Sequence, residues 1–290
     1  MKVGFLDFQL TNSHFKKFHS LLTGEVGGGE VTIVAADELE PTEDGKKWCK
    51  EKNVRYCETP QEVVEASDAI LVLAPNNMEK HLEVAAPALT SGKPVFIDKM
   101  LAHTPDHAEQ IVAVAKKSGT PIMSSSALRF AAELDELDKK LKGEPEEIFA
   151  CGYGKFAIYG VHTLALALRY FGGKVRRVID TGWPGTHLIT LDGGERRAFM
   201  ELRDASNART AIPWQVGILS GGRYEIATVT DSNAFYENLM RKTLHFFRTG
   251  ESAISVDEQL AMVRVLHAAE QSLAADGKWV ELKDSAGAQG

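Results

Sequence analysis

Residues 68–102, DAILVLAPNNMEKHLEVAAPALTSGKPVFIDKMLA, decide the fold of this chain. The apolar run Ala69 to Ala74 predicts a buried strand, and Pro75 ends it because proline cannot continue a strand ladder. Glu79 to Ser91 predicts a helix, and Pro94 to Ile97 predicts a second buried strand. A strand–helix–strand unit of this kind implies two parallel strands joined by a right-handed crossover.

The same alternation continues on both sides of this unit, through residues 1–124. Further strands are predicted at Val3 to Leu6, Val31 to Ala36, Val54 to Cys57 and Pro121 to Ser124, and further helices at Ser13 to Leu22, from Thr59 onward, and at Pro105 to Ser118. A polar stretch separates the strand that ends at Ala36 from the one that begins at Val54. The predicted fold class is therefore α/β, with an N-terminal doubly wound parallel sheet.

The pattern changes at residue 125. Two helices are predicted at about Leu128 to Leu141 and Val161 to Tyr170, and strands at Glu147 to Cys151, Val175 to Asp180, His187 to Leu191, Arg197 to Leu202, Trp214 to Leu219 and Tyr224 to Val229. Two more helices, Ser232 to Arg248 and Val256 to Leu273, and a short strand, Trp279 to Leu282, precede a tail predicted to be disordered after Lys283. We expect residues 125–290 to form an α+β domain with a mostly antiparallel open sheet. Its last helix could pack back on the first domain.

Composition disfavours several classes of protein. The 33 Lys and Arg against 40 Asp and Glu give a net charge of −7, which disfavours a nucleic-acid or anionic membrane surface. Three scattered cysteines without metal-ligand spacing favour a reducing cytoplasm and no metal site. No secretory segment or membrane-spanning apolar run is recognised.

The loop after the first strand is where a doubly wound sheet binds a dinucleotide, usually through a GxGxxG sequence. Here residues 7–14, DFQLTNSH, contain no glycine, and Asp7 at the first glycine position would repel a diphosphate. Thr11, Asn12 and Ser13 either offer polar groups to a ligand at the helix start or only cap the helix. His14 either faces a ligand or packs within the helix.

Three other strand ends carry candidate cofactor-binding residues. Asp37 could accept hydrogen bonds from ribose hydroxyls and disfavour a 2′-phosphate, or simply form a turn. Ala74, Pro75 and Asn76 lie where a nicotinamide ribose would bind, or merely end a strand. Asp98 and Lys99 directly follow a buried strand, and a lysine there can stabilise alkoxide character while an alcohol is oxidised.

The segment GKPVFIDKMLA at 92–102 resembles the "GKxVxxEKPLA" signature of the glucose-fructose oxidoreductase/inositol dehydrogenase family, often called Gfo/Idh/MocA. Asp98 replaces the glutamate and Met100 replaces the proline. Segments at 31–37, 68–76, 115–130 and 255–282 also resemble family segments, in the right order. The resemblance implies a Rossmann domain that binds NAD, with NADP less expected, and a substrate domain that mediates oligomerisation.

The resemblance also implies a catalytic histidine on the first helix of the second domain. The sequence IYGVH at 158–162 is similar to a "YGIH" variant of the family motif, so His162 is the candidate acid/base. The family's aspartate four residues earlier is Ile158 here. Tyr159 could supply a hydroxyl instead, or be a core residue.

Further residues could line a sugar pocket, since aromatic faces stack on pyranose rings, although each could equally be structural. They are Arg129, Trp183, His187 and Trp214.

Two functions remain open on the sequence. The first is an NAD(P)-dependent oxidoreductase of sugars, cyclitols or related polyhydroxy compounds, in which Lys99 polarises the substrate oxygen and His162 carries the proton. The second is a non-redox relative, such as a carbohydrate-binding sensor subunit or a lyase, with a degenerate dinucleotide site. The resemblance implies a homodimer or homotetramer formed through the C-terminal sheet.

Overall fold

The computed structural model describes residues 1–204 and 212–282. The chain divides into two compact units, the first comprising residues 1–125 and 239–256, and the second comprising residues 126–238 and the chain from 257 onward. The tail after Lys283, for which disorder is predicted, lies outside the described residues.

The first unit contains a six-stranded parallel sheet in the order β3-β2-β1-β4-β5-β6. Its strands are β1 (Lys2–Asp7), β2 (Thr32–Glu38), β3 (Arg55–Tyr56), β4 (Ala69–Val72), β5 (Val95–Asp98) and β6 (Ile122–Ser125). Strands β4 and β5 are buried along their whole length, as their uninterrupted apolar sequences require. The order reverses direction at β1, which is the switch point where such sheets bind ligands. The predicted doubly wound sheet is confirmed.

Five helices connect these strands: α1 (Ser13–Thr23), α2 (Glu43–Lys52), α3 (Pro60–Ala66), α4 (His81–Leu89) and α5 (Pro105–Ser118). Four of them begin at a side-chain cap, in which Asn12, Thr42, Thr59 or Thr104 accepts a backbone N–H of the first turn. Helix α2 occupies the stretch in which only polar sequence was recognised. Its Trp48 packs against Phe15 with ring centroids 4.1 Å apart.

The second unit contains a seven-stranded sheet in the order β12-β11-β7-β10-β9-β8-β13. The strands are β7 (Glu147–Tyr153), β8 (Arg177–Asp180), β9 (Thr186–Asp192), β10 (Arg197–Arg203), β11 (Gln215–Ser220), β12 (Arg223–Thr228) and β13 (Val280–Glu281). Within the described chain, β7 and β10 are parallel, whereas the remaining neighbours are antiparallel. This confirms the prediction of a mostly antiparallel sheet.

Two helices of the second unit differ from their predicted bounds. The predicted helix from Leu128 is a 3₁₀ turn (Ala127–Phe130) followed by α6 (Ala132–Asp138), because Ala131 is extended and interrupts it. Helix α7 (Phe156–Phe171) begins earlier than predicted, which places Tyr159 and His162 three residues apart on one helix. Such residues are neighbours on a helix surface.

The chain ends with α8 (Ser232–Thr249) and α9 (Val256–Ala274), close to their predicted bounds. Residues 239–249 of α8 group with the first unit, and α9 from Asp257 groups with the second. Across residues 1–204 and 212–282, no helix has both the length and the apolar character needed to cross a membrane.

Candidate functional site

The carboxyl ends of β1, β2, β4 and β5 lie at one edge of the first sheet, because parallel strands all point the same way. This edge collects the cofactor-binding residues predicted from the sequence. Their direct contacts show which side chains face inward and hold the edge together, and which remain accessible.

Asp7 is turned into the protein. It is 1% exposed and accepts hydrogen bonds from the backbone N–H groups of Phe8 (2.7 Å) and Ala74 (2.8 Å) and from Asn12 Nδ2 (2.6 Å). Burial raises its pKa to about 7, although the three hydrogen bonds act in the opposite direction. The carboxylate therefore joins the ends of β1 and β4 and does not face outward from the loop.

The start of α1 remains open to an anion. Asn12 Oδ1 caps the helix by accepting from Phe15 N (2.8 Å), while Thr11 and Ser13 are exposed. The first turn of α1 contains no acidic residue. Because a helix N-terminus carries partial positive charge, this turn suits a diphosphate even without glycines.

Glu38 is a residue of this edge that the sequence analysis did not identify. It is 3% exposed, and its carboxylate accepts from Leu10 N in the first loop and from Thr42 N (2.8 Å) and Thr42 Oγ1 (2.9 Å) at the start of α2. Tyr56 also donates to it, at 3.3 Å. Glu38 thus anchors the glycine-free loop to the second strand, and its position beside Asp37 was the only sequence signal.

Asp37 lies next to this anchor at the end of β2. Burial raises its pKa to about 6, and the neighbouring Glu38 carboxylate adds to the shift. The group is therefore mostly ionised at pH 7 and only partly hydrated. A carboxylate in that state accepts hydrogen bonds from hydroxyl groups well and repels a phosphate.

His14 and Asp98 form a pair that joins α1 to β5, with Nδ1 2.6 Å from Oδ2. Asp98 Oδ1 also accepts from the backbone N–H of Lys99 (2.8 Å). Burial alone would raise the pKa of Asp98, but His14 and Lys99 lower it below its ordinary value. His14 is therefore held by a carboxylate at this edge of the sheet, a contact that the sequence could not reveal.

Lys99 is the buried cation of this edge. It is 3% exposed, and its Nζ donates to the backbone oxygen of Pro75 at 3.2 Å. Burial lowers its pKa, and Asp98 partly opposes that shift. The structure thus brings Lys99 to the strand end formed by Ala74, Pro75 and Asn76.

His81 is fully buried at the start of α4 and contacts the backbone after both β4 and β5. Its Nε2 lies 3.1 Å from the Ala74 oxygen and its Nδ1 lies 2.8 Å from the Met100 oxygen. Ala74 has a φ of 57°, a left-handed conformation that is unusual for a residue with a side chain. Asp7 holds the N–H of Ala74 and His81 faces its oxygen, so the loop before Pro75 is fixed from both sides.

In the second unit, His162 lies in a group of polar and aromatic residues. Its Nδ1 is 2.7 Å from Ser126 Oγ. The rings of Tyr159 and Trp214 approach it edge-on, with centroids 5.6 Å and 5.8 Å away. Trp214 is in turn stacked on Tyr153, at 4.6 Å and 24°.

Two glycines at the end of β7 make room for this group. A side chain at Gly152 would collide with Thr163 and Trp214. A Cβ at Gly154, where φ is 106°, would lie 2.6 Å from the Tyr159 ring. Tyr159 is 37% exposed, so it does not belong to the core and its ring covers the turn after β7.

The other predicted sugar-binding residues have different environments. His187 Nδ1 is 2.6 Å from the fully buried Asp180, and its ring stacks on Phe156 at 4.0 Å. Trp183 is 53% exposed. Arg129 forms a buried ion pair with Glu258, which ties the 3₁₀ turn to α9.

We compared the chain with known proteins. Residues 11–126 match the family model described as "Oxidoreductase family, NAD-binding Rossmann fold" (GFO_IDH_MocA). No curated protein matches the chain significantly by sequence.

Solved structures resemble the chain over nearly its whole length. A probable dehydrogenase from Thermotoga maritima has a TM-score of 0.81 at 15% identity, covering 97% of this chain and 98% of that chain. GenD2 from gentamicin A biosynthesis, solved in complex with NAD, has a TM-score of 0.81 at 15% identity, covering 98% and 97%. A myo-inositol dehydrogenase from Corynebacterium glutamicum has a TM-score of 0.79 at 11% identity, covering 98% and 99%.

At these identities the structural likeness shows the fold alone, and the family match is confined to residues 11–126. The DKM segment that ends β5 and the YGVH segment on α7 are the features by which the sequence resembles the same family. Residues 11–126 are therefore similar to the NAD-binding Rossmann domain of the Gfo/Idh/MocA oxidoreductase family.

Proposed function

We propose that the protein transfers a hydride between C4 of a nicotinamide and a carbinol carbon of a sugar, cyclitol or related polyhydroxy compound. The observation that carries this proposal is Lys99, a buried lysine at the carboxyl end of β5 in the NAD-binding unit. Burying an ammonium group is costly unless it is paired with an opposite charge, and titratable groups perturbed by burial concentrate at functional sites.

The residues at the sheet edge fit NAD. Asp37 is a partly desolvated acceptor for the ribose hydroxyls, and its charge opposes a 2′-phosphate, so we propose NAD in preference to NADP. Thr11, Ser13 and the first turn of α1 would hold the diphosphate, since Asp7 is turned inward and neutral for part of the time near pH 7. When bound, NAD supplies the hydride acceptor.

Lys99 would donate a hydrogen bond from Nζ to the substrate oxygen. The contact stabilises negative charge on that oxygen as the hydride leaves the carbon. Its lowered pKa brings the ammonium closer to the range in which a proton can be exchanged near neutral pH. His162 would accept the hydroxyl proton, or return it in the reverse direction, because an imidazole titrates near neutrality.

The group around His162 also supports a carbohydrate-like substrate. Trp214 stacked on Tyr153, with Tyr159 nearby, gives an aromatic surface of the kind that packs against the C–H face of a sugar ring. Trp183 is a further exposed aromatic ring of this unit. His187 and Arg129 would act indirectly, since both are held by buried carboxylates.

Substitution of Lys99 tests the proposal. With an active substrate from a sugar and cyclitol panel, Lys99→Met should lower kcat by about 10²-fold or more while NADH binding is kept. Lys116→Met, at an exposed position on α5, is the matched control and should behave as the unmodified protein. Full turnover by Lys99→Met would refute the mechanism.

A second candidate function is favoured by the first loop. It lacks glycine, and its Leu10 N–H is already bound by the Glu38 carboxylate, so one backbone donor of the loop is unavailable to a diphosphate. A non-redox relative that binds a carbohydrate, or eliminates water from it, would have these properties. Conversion of a polyhydroxy compound without NAD would favour this function.

We also propose that the protein is a homodimer or homotetramer formed through the C-terminal sheet. Ile226, Phe149 and Phe199 lie in one row across β12, β7 and β10, with exposures of 61%, 37% and 38%. A row of large exposed apolar side chains is typical of an interface. Phe149→Asp should reduce the mass measured by light scattering, and a monomeric unmodified protein would contradict the proposal.

A reducing compartment such as the cytoplasm is proposed as the location. Cys49, Cys57 and Cys151 are all buried and free. A chain without disulfides is typical of that compartment.

A further inference from the structure

We propose that Ser126 positions the imidazole of His162, taking the place of the aspartate that Ile158 replaces. The inference rests on the proposed role of His162 as acid/base and names the group that supports it. In many Asp–His pairs a carboxylate orients the imidazole, and here a serine hydroxyl would orient it.

Ser126 and His162 are in direct contact. Ser126 is fully buried, and its Oγ lies 2.7 Å from His162 Nδ1, a normal hydrogen-bond distance. The same oxygen accepts the N–H of Leu128 at 3.3 Å, because Ser126 caps the 3₁₀ turn Ala127–Phe130. The backbone of that turn therefore fixes the hydroxyl before it contacts the ring.

The contacts of the His162 ring also define its direction. Because Nδ1 faces the Ser126 hydroxyl, Nε2 is directed away from Ser126. Tyr159 and Trp214 both meet the ring at 64°, which restricts its rotation about the side-chain bonds. One hydrogen bond and two edge-to-face contacts thus define both the plane and the direction of His162.

The Ser126 hydroxyl is also compatible with proton transfer at the His162 ring. A hydroxyl can donate to an unprotonated Nδ1 or accept from Nδ1–H, whereas a carboxylate can only accept. When the substrate hydroxyl gives its proton to Nε2, the ring becomes an imidazolium and Ser126 Oγ accepts the Nδ1–H. In the reverse direction Nε2 returns that proton to the substrate oxygen. A serine therefore supports the ring in either direction of the reaction.

A role limited to helix capping is the alternative, and substitutions can distinguish the two. Ser126→Gly removes the hydroxyl but suits an N-cap position, whereas Ser126→Thr keeps both the hydroxyl and the cap. Ile158 lies four residues before His162 on α7, so Ile158→Asp would place a carboxylate on the same helix face as the ring.

The experiment measures steady-state kinetics and the nitrogen NMR signals of the His162 ring, which are assigned by their loss in His162→Gln. Ser126→Gly should lower kcat about 10- to 100-fold with KM and NADH affinity little changed, since proton transfer depends on alignment. Ser126→Thr should keep most of the activity. Adding Ile158→Asp to Ser126→Gly should restore at least about fivefold of kcat, which a cap alone would not allow.

The NMR signals provide a test that needs no substrate. In the resting protein, Ser126→Gly should change the Nδ1 signal of His162, and Ser126→Thr should leave it nearly unchanged. Unaltered ring signals, or a kcat within about twofold of the original in Ser126→Gly, would overturn the positioning role. Full turnover by His162→Gln would instead overturn the proposed function of His162, so the two failures are distinguishable.

Discussion

Replacement of Asp7 by asparagine should change how stability depends on pH. In the folded protein burial raises the pKa of Asp7 from the ordinary 3.8 to about 7. Between those values the folded protein holds a proton that the unfolded chain releases. The stabilisation is therefore complete below pH 3.8 and is lost as the pH rises toward 7. Three pKa units correspond to about 4 kcal/mol, of which about 3 kcal/mol is lost between pH 5 and pH 8.

Urea unfolding followed by tryptophan fluorescence would measure this loss. The unmodified protein should lose about 3 kcal/mol more than Asp7→Asn between pH 5 and pH 8, because the amide does not titrate. Asp68→Asn is the matched control, since Asp68 also accepts a backbone N–H, that of Lys2 at 2.8 Å, but is exposed. Its pH profile should follow that of the unmodified protein. Parallel profiles for Asp7→Asn and the unmodified protein would show that Asp7 is not held as a buried, partly protonated acid.

Two further predictions follow from charged groups at other sites. Asp37→Ser should raise the ratio of kcat/KM for NADP over NAD at least about tenfold at pH 7, because a carboxylate that repels the 2′-phosphate is lost; an unchanged ratio would count against this role. Glu258→Gln should lower the free energy of unfolding by about 3 kcal/mol, because it leaves the Arg129 guanidinium buried and unpaired. Glu281→Gln is the control, because Glu281 forms an exposed pair with Arg177. It should lower the free energy of unfolding in urea by less than about 1 kcal/mol. Equal losses of unfolding free energy in the two variants would contradict the prediction.

The elements of the fold that follow from local pattern were predictable. The buried strands at 69–72 and 95–98 have continuous apolar sequences, and α5 has a threonine cap, a proline at its first turn and a glycine at its end. Helix α2 was not predicted, because its mean hydropathy is low and Trp48 and Cys49 are its two large or apolar side chains turned toward the protein. Its existence depends on the Thr42 cap and on packing against Phe15, which a local pattern does not show.

The site was predictable as a set of positions but not as a set of contacts. Lys99 and Asp37 follow from their places at strand ends, since every parallel strand ends at the same edge. The pairs His14–Asp98 and Ser126–His162 join residues 84 and 36 positions apart, and no sequence period encodes such pairings. The inward direction of the Asp7 side chain could not be predicted either. Whether that carboxylate repels a ligand or accepts the N–H of Ala74 depends on the backbone around it.

We expect this glycine-free loop to bind NAD, and the most direct test is a titration of the protein with NADH that is followed by the fluorescence of NADH. We predict saturable binding with a micromolar Kd, weakened at least about tenfold by Asp37→Ala because the ribose acceptor is lost. Absence of saturable binding at millimolar NADH would contradict the claim and favour the non-redox function.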